Sequence, residues 1–253
     1  MIVRSPAAGG KSPDRNLPIL NIERRLFMKK ALSLGALSLL TGCDASNPSV
    51  ADRILWAMSH WNDEIQAAIF DSNKAAQVYA ESDITDPFPF NAYYAESQAP
   101  EIAESGYALH LGGSIADKAS WSLDRLRALP QASQITRHIC VEGWSAIGKW
   151  GGVPFGEFLR LVGADTRAKY VGFSCADDYY TSIDMETALH PQTLLALTFR
   201  DQVLPRRHGF PMKLRVPTKL GFKNPKHIMA IFVTNDYPGG YWEDQGYNWF
   251  SGS

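Results

Sequence analysis

The feature that most constrains this chain is a β-prone stretch, residues 137–145, that leads into a single cysteine. Its alternating residues predict a strand that ends at Cys140, followed by a Gly-Trp-Ser turn and a glycine-rich run. A side chain at the end of a strand faces a loop rather than the core. Because a thiolate is a soft ligand, Cys140 is a candidate to bind a soft, redox-active metal.

The composition of the chain excludes several classes of protein. With 253 residues, the chain is long enough to bury one substantial core. Its formal net charge of −1 gives no global field that attracts nucleic acid or an anionic membrane, so we expect no nucleic-acid partner. Three cysteines, with no CxxC motif and no paired histidines, indicate neither a disulfide framework nor a structural zinc site.

The N-terminal region has the features of an export signal. Paired arginines followed by Leu-Phe-Met-Lys lie in residues 23–30 and resemble a twin-arginine leader. The apolar run that follows, residues 31–40, is too short to span a bilayer but fits the apolar region of a signal peptide. The alternative is a general secretory signal in which neither the paired arginines nor the Leu-Thr-Gly-Cys segment at the end of the apolar run has a special role.

The apolar run ends in Leu-Thr-Gly-Cys, which resembles the cleavage box of a lipoprotein. Cys43 would then be the residue that becomes lipid-modified. We therefore expect residues 1–43 to be an export leader and residues 44–253 to form one domain. The protein is expected in the periplasm, exported by the twin-arginine route and anchored to the membrane through Cys43.

The rest of the chain shows short segments with strand or helix periodicity. Strands are predicted at residues 107–113, 170–175, 181–184, 194–200, 213–216 and 228–234. Helices are predicted at residues 54–79 (one or two amphipathic helices), 121–129, 153–162 and 185–189. Short strands with few, short helices indicate an α+β domain built on mixed sheet.

Two basic loops, residues 204–217 and 219–226, are the second candidate feature. Both contain lysine or arginine side chains interrupted by glycine and proline. Cationic side chains and exposed backbone donors on loops suit a ligand that carries a phosphate and polar rings. Taken alone, the pattern is more typical of a solvated basic face, so its meaning depends on the other motifs.

These motifs together resemble a known family. From about residue 91 to residue 234, the chain is similar to the molybdopterin-binding domain of the sulfite oxidase superfamily. It is most similar to the exported bacterial branch that contains protein-methionine-sulfoxide reductases. Four blocks carry the resemblance, in this order: Cys-Val-Glu-x-Trp-Ser, Ala-Leu-His-Pro-Gln-Thr-Leu, Leu-Pro-x-x-x-Gly-x-Pro and Gly-Phe-Lys. The resemblance implies an α+β, mixed-sheet molybdopterin-binding fold with short helices.

The resemblance also implies which residues form the site. Cys140 corresponds to the only protein ligand of the molybdenum, and Glu142 to a catalytic acid near the metal. The implied cofactor contacts are Asn91, Tyr94, Cys175, His208, Lys213, Lys223, Asn224, Pro225 and Lys226. Alternatives are a turn former at Asn91, a core residue at Tyr94, and a buried strand residue or a disulfide partner of Cys140 at Cys175.

The implied activity is oxygen-atom transfer on a molybdenum–molybdopterin cofactor. Reduction of S- or N-oxides, such as methionine sulfoxide in free or peptidyl form, is the first candidate reaction. Sulfite oxidases carry basic residues just after the ligand cysteine, and this chain does not; the reductases have Trp and Tyr where Thr218 and Leu220 stand. Alternative functions are oxidation of a small sulfur compound, and exported binding without catalysis. We expect a monomer that receives electrons from a separate partner, a membrane haem protein or a quinol-linked protein.

Overall fold

The computed structural model describes residues 57–58, 61–63, 65–66 and 74–253. The expected leader at residues 1–43 lies outside the described residues, as does half of the helical segment predicted at residues 54–79. None of the helices that are described is both long enough and apolar enough to cross a membrane.

Residues 74–253 contain nine strands and three short α-helices, joined by loops and single 3-10 turns. The strands are β1 (His110–Gly113), β2 (Ala132–Ile139), β3 (Ser145–Pro154), β4 (Tyr170–Cys175), β5 (Tyr180–Asp184), β6 (Leu194–Phe199), β7 (Gln202–Val203), β8 (Lys213–Arg215) and β9 (Ile228–Thr234). The helices are α1 (Leu123–Arg127), α2 (Phe155–Leu161) and α3 (Met185–Leu189).

The strands form two sheets. The first has the order β1-β9-β4-β5, in which β1 and β9 are parallel and the other neighbours are antiparallel. The second has the order β2-β3-β6-β7, with β8 also paired to β6, and all of its pairs are antiparallel. Mixed sheets with few, short helices confirm the predicted α+β class.

Strand β3 occupies the region where the sequence predicts a glycine-rich run and the start of a helix. It is ten residues long, and its register against β6 shifts between Gly151 and Gly152. A Cβ at position 152 would collide with the backbone carbonyl of Leu195 on β6. The glycines therefore mark a bulge where two strands approach closely, and not a loop.

The main core contains side chains from both sheets and from α2. It includes Val171 and Phe173 of β4, Leu195 of β6, and Phe155 and Phe158 of α2, and all five are buried. Removal of each large apolar side chain from water contributes about 1.5–3 kcal/mol. This core gives the loops at the strand ends a rigid base.

Alternating burial along β2 shows how the strand enters the site. Thr136 and His138 are buried, whereas Arg137 between them is exposed. The strand ends at Ile139, so Cys140 is the first residue of the connection to β3. The predicted strand end at Cys140 is therefore confirmed.

Candidate active site

A cavity of about 210 Å³ opens beside the connection between β2 and β3. Its walls come from parts of the chain that are far apart in sequence: residues 91–94, 140–142, 177, 179, 221, 222, 224–226, 242 and 247. A thiol, two carboxylates and an ammonium group meet there, from Cys140, Glu142, Asp177 and Lys226. This cleft is the candidate active site.

Cys140 is held at the start of a tight turn. Its N–H donates a hydrogen bond to the carbonyl of Trp144 (2.9 Å), and the N–H of Gly143 donates to the carbonyl of Cys140 (3.1 Å). Gly143 has a φ of +91°, a backbone conformation that favours glycine. A turn is therefore present, but it lies earlier than the predicted Gly-Trp-Ser turn, because it is closed by Cys140 and Gly143 and Ser145 already belongs to β3. This turn fixes the backbone that carries the thiol.

The Cys140 side chain is 9% exposed and lies beside a carboxylate. Its Sγ donates a weak hydrogen bond to Oε2 of Glu142 at 3.6 Å, and the indole N–H of Trp144 donates to the same oxygen at 2.9 Å. Burial, followed by the Glu142 carboxylate as a smaller cause, raises the pKa of the Cys140 thiol. Such a thiol is a weak nucleophile, whereas coordination to a metal ion removes its proton. The environment therefore fits a metal ligand better than a covalent nucleophile.

Five buried basic side chains near the cleft lie close enough to influence one another: His138, His208, Lys213, Arg215 and Lys226. Burial lowers the pKa of Lys213 well below its usual value, and the charges of Lys226 and Arg215 lower it further. Burial also lowers the pKa of Lys226 to about 8 and, together with Lys213, that of His208 to about 3. These shifts show that positive charge is unfavourable in this region unless an anion offsets it.

Protein carboxylates offset this charge only in part, since Asp177 and Glu96 act on Lys226 without forming an ion pair with it. Among the described residues, none lies within 4 Å of the ammonium nitrogen of Lys213 or Lys226. The Lys226 ammonium donates to the carbonyls of Asn91 (2.7 Å) and Arg207 (3.4 Å). Among the residues that the structure describes, Nδ1 of His138 has no hydrogen-bond partner. Buried charges and donors without acceptors are unfavourable. The cluster therefore fits an anionic ligand with several acceptor oxygens, such as a phosphate-bearing cofactor.

Two glycines let the basic loops approach this cluster. Gly209 has a φ of +116°, and a Cβ there would lie 2.9 Å from the Cβ of Lys226. A Cβ on Gly221 would lie 2.7 Å from Nε2 of His138. A side chain at either position would push the loops away from the buried basic groups.

Arg215 connects one basic loop to β2. Its guanidinium donates to the hydroxyl of Thr136 (3.1 and 3.2 Å), to the carbonyl of Arg137 (2.5 Å) and to Oδ1 of Asn224 (2.9 Å). The same Asn224 oxygen accepts the N–H of Val216 (2.8 Å). The Asn224 amide thus holds the loop in place, while the residue itself lines the cleft.

Asp177 connects the N-terminal wall of the cleft to the turn between β4 and β5. Its carboxylate accepts the Tyr94 hydroxyl at 2.7 Å, and its carbonyl accepts the Tyr93 hydroxyl. Burial first, and then the hydrogen bond to Asp177, raises the pKa of Tyr94, so this phenol stays neutral. On the same wall, Nδ2 of Asn91 lies 3.3 Å from Nε2 of His138.

The structure brings seven of the eleven predicted site residues to the cleft. They are Asn91, Tyr94, Cys140, Glu142, Asn224, Pro225 and Lys226. Some of these residues touch although 135 positions separate them in sequence, as Lys226 and Asn91 do. Their roles toward a cofactor stay a prediction.

The other four predicted residues do not line the cleft. Cys175 is buried in the main core at the end of β4, and both Cys175 and Cys140 are free thiols. His208 and Lys213 belong to the buried basic cluster. Lys223 is buried as well, and its ammonium donates to the carbonyl of Ser182 (2.9 Å) and to a carboxylate in the interior.

Several cleft residues were not predicted from the sequence. Asp177 is part of an Asp-Asp pair typical of a solvated loop. Phe222 belongs to the Gly-Phe-Lys block but was assigned no role there, and Trp242 and Tyr247 belong to no motif. One signal was available: residues 237–250 contain six aromatic residues, an unusual density for a polar tail. Exposed aromatic clusters often mark binding sites.

The sequence of this chain is similar to those of known proteins. Residues 96–242 match the family described as oxidoreductase molybdopterin binding domain. A protein of Azospira oryzae, provisionally named protein-methionine-sulfoxide reductase subunit YedZ1, is 63% identical over 230 residues, which cover 91% of this chain and 88% of the relative. The protein-methionine-sulfoxide reductase catalytic subunit MsrP of Xanthomonas axonopodis pv. citri is 33% identical across 64% of this chain and 53% of its own.

A solved structure shares the fold. The sulfane dehydrogenase SoxCD from Paracoccus pantotrophus matches with a TM-score of 0.51 and 19% identity, over 55% of this chain and 40% of that chain. At this identity the likeness concerns the fold alone. The chain also spans only about half the length of the Xanthomonas relative.

Proposed function

The chain belongs to the family of oxidoreductases with a molybdopterin-binding domain, and we propose that it is an exported molybdenum enzyme that reduces S- or N-oxides. Methionine sulfoxide is the first candidate substrate. One observation carries the proposal: the Cys140 thiol and Lys226 share a cleft next to buried basic side chains that lack an anion. A soft thiolate and a cationic cradle are what a metal–dithiolene cofactor with a phosphate requires.

Different residues of the chain would have different roles around the cofactor. A molybdenum–molybdopterin cofactor supplies two-electron oxygen-atom transfer when it is bound. Cys140 would hold the metal through its thiolate and help to set its potential. Lys226, with Lys213 and Arg215 behind it, would offset the negative charge of the cofactor. Glu142, 3.6 Å from the thiol, is the nearest described group that can hold a proton there.

The proposed reaction needs protons and electrons from outside the substrate. Reduction of one sulfoxide consumes two electrons and two protons, and it yields one sulfide and one water. Glu142 and Asp177 both line the cleft and can pass protons from solvent to the departing oxygen. We propose that a separate membrane haem protein or quinol-linked protein donates the electrons, since the relatives are named as subunits.

The charge of the cleft favours oxides over sulfite. Two carboxylates that line the cleft, Glu142 and Asp177, repel an anion that approaches from solvent. A neutral sulfoxide or N-oxide does not meet this repulsion. The acids therefore support reduction of a neutral oxide over oxidation of an anionic sulfur compound.

Metal analysis and an assay on a panel of oxides test the proposal. Protein purified with its leader intact should contain about one molybdenum per chain and should reduce methionine sulfoxide with a reduced viologen dye as donor. Protein from tungstate-grown cells should be inactive. A chain without metal would be an exported binding protein, and a loaded chain that oxidises sulfite but reduces no oxide would be the sulfur-oxidising alternative. Either result contradicts the proposal.

We propose that the enzyme reaches the periplasm by the twin-arginine route, because a protein loaded with this cofactor in the cytoplasm must cross the membrane folded. The paired arginines Arg24 and Arg25 support this route. Exchange of both for lysine keeps the charge and should leave loaded protein in the cytoplasm, whereas exchange of Lys29 and Lys30 for arginine should not. Unchanged export of the double-lysine variant would contradict the twin-arginine route.

A lipid anchor at Cys43 is tested separately. Cys43→Ala should release the exported protein from the membrane fraction.

A further inference from the structure

Three aromatic side chains, Phe222, Trp242 and Tyr247, form one wall of the cleft that also contains Cys140. The ring centroids of Phe222 and Tyr247 are 5.9 Å apart, and those of Trp242 and Tyr247 are 5.2 Å apart. Tyr247 is 39% exposed, so this aromatic wall extends to the mouth of the cleft. A ligand that enters the cleft toward Cys140 therefore meets aromatic faces.

A buried ion pair fixes the aromatic wall. Phe222 and Lys223 are neighbours in one 3-10 turn, and Trp242 and Glu243 are neighbours at the start of another. The Lys223 ammonium donates to the Glu243 carboxylate and thereby joins the two turns. Since neither side chain is more than 1% exposed, the pair sets the position of the wall and does not itself meet the ligand.

We propose, on the basis of the proposed function, that the aromatic wall binds the methyl end of a neutral methyl sulfoxide and makes the enzyme selective for methionine sulfoxide side chains. A methyl sulfoxide has one strongly polar atom, its oxygen, while the rest of the group is apolar and polarisable. Aromatic rings attract a polarisable sulfur and its methyl group. An aromatic wall therefore holds the group by its apolar part and leaves the oxygen available for reaction.

The carboxylates and the open mouth of the cleft also favour a neutral methyl sulfoxide. Glu142 and Asp177 line the same cleft and repel oxyanions, which have no apolar part to bind the rings. The mouth is bordered by exposed side chains, Tyr93 at 40% and Tyr247 at 39% exposure. An open mouth admits a side chain that belongs to a larger peptide. The aromatic wall and the two carboxylates are therefore the groups that would set a preference for a neutral methyl sulfoxide over an oxyanion.

Binding of a neutral probe tests this inference. The oxidised holoenzyme without reductant does not consume the probe, N-acetyl-methionine sulfoxide methylamide, so saturation-transfer NMR can report contact with its S-methyl protons. Wild-type protein should saturate these protons, and Tyr247→Leu and Trp242→Leu should lose most of the signal. With reductant, both variants should raise the KM for the probe about tenfold while kcat changes by less than about threefold. Tyr247→Phe keeps the ring and should behave like the wild type.

Tyr237→Leu is the matched control, because Tyr237 is 43% exposed but does not line the cleft. It should leave the saturation signal and the KM unchanged. Because Trp242 also packs against the main core, Tyr247→Leu decides the question if Trp242→Leu does not fold. Unchanged S-methyl saturation and KM in Tyr247→Leu would overturn the role of the aromatic wall and leave the proposed function standing. A loaded wild-type enzyme that reduces no sulfoxide would overturn both.

Discussion

The ammonium group of Lys223 donates a hydrogen bond to the carboxylate of Glu243, and 1% and 0% of these two side chains are exposed. The Lys223 ammonium also donates to the carbonyl of Ser182 (2.9 Å), and the Thr181 hydroxyl donates to the same Glu243 oxygen (2.7 Å). Burial lowers the pKa of Lys223, and the charge of Glu243 acts against that shift. The pair therefore ties β5 to both turns that carry the aromatic wall.

Loss of one partner of this pair should destabilise the fold. Lys223→Met leaves the Glu243 carboxylate buried without a counter-charge, which should lower the free energy of unfolding by about 3–5 kcal/mol. The double variant Lys223→Met/Glu243→Leu removes both charges and should recover much of that loss. Urea unfolding of the wild type, Lys223→Met, Glu243→Leu and the double variant measures the coupling energy between the two side chains.

The exposed pair Arg160–Glu157 is the control, since its side chains are 54% and 71% exposed. Glu157→Gln should change the free energy of unfolding by no more than about 0.5 kcal/mol. If Lys223→Met proves as mild as Glu157→Gln, the buried pair does not hold the two turns together.

His208 should make the protein without cofactor less stable in mild acid. Burial is the main cause that lowers its pKa to about 3, and neighbouring charges add to it: Lys213, Arg207, Lys226 and Arg200. The unfolded chain takes up a proton at this residue below about pH 6.5, whereas the folded chain does so only near pH 3. The stabilisation is therefore complete above pH 6.5 and falls by about 1 kcal/mol per pH unit as the pH drops toward 3.

Urea unfolding between about pH 6 and pH 4 measures this slope. His208→Asn removes the titrating ring and should reduce the slope of the free energy of unfolding against pH by the contribution of about one proton. His110→Asn, at the exposed start of β1, should leave this slope unchanged. Equal slopes in the wild type and His208→Asn would contradict a neutral, buried His208. Loading with an anionic cofactor should also reduce the slope, because negative charge favours the protonated ring.

Tyr94 should contribute to stability through its hydrogen bond to Asp177. Tyr94→Phe removes a donor to a carboxylate at 2.7 Å and should lower the free energy of unfolding by about 1.5 kcal/mol. Tyr180 donates to Asp244 at the surface, so Tyr180→Phe is the matched control and should cost no more than about 0.5 kcal/mol. Equal effects of the two exchanges would mean that Asp177 does not secure the N-terminal wall of the cleft.

Some features of the site follow from local sequence. Strand periodicity and turn chemistry act over a few residues, and they place Cys140 at the end of β2 with Gly143 in the turn that follows. The basic loops are likewise recognisable from their own composition. That the loop residue Lys226 would meet the thiol and its acidic neighbour Glu142 was implied by the family resemblance and not by these local patterns.

Other features depend on distant contacts and could not be predicted. The Gly-Phe-Lys block gives the position of Lys223, but its ammonium faces the interior because Glu243, twenty residues further on, lies there. Trp242 directly precedes Glu243, so the same long-range ion pair also helps to hold Trp242 at the cleft. In β3, Gly152 resembles a loop residue until the backbone of Leu195 on β6 is placed beside it.

The proposed function depends on the Cys140 thiolate as the ligand of the metal. X-ray absorption at the molybdenum edge tests this coordination most directly. We predict that the metal in the wild type has one more sulfur neighbour than the metal in Cys140→Ser, and that this variant no longer reduces oxides. Cys175→Ser, at the other free buried thiol, should keep both the wild-type sulfur shell and the activity. An unchanged sulfur shell in Cys140→Ser, or the loss of a sulfur in Cys175→Ser, would contradict Cys140 as the ligand.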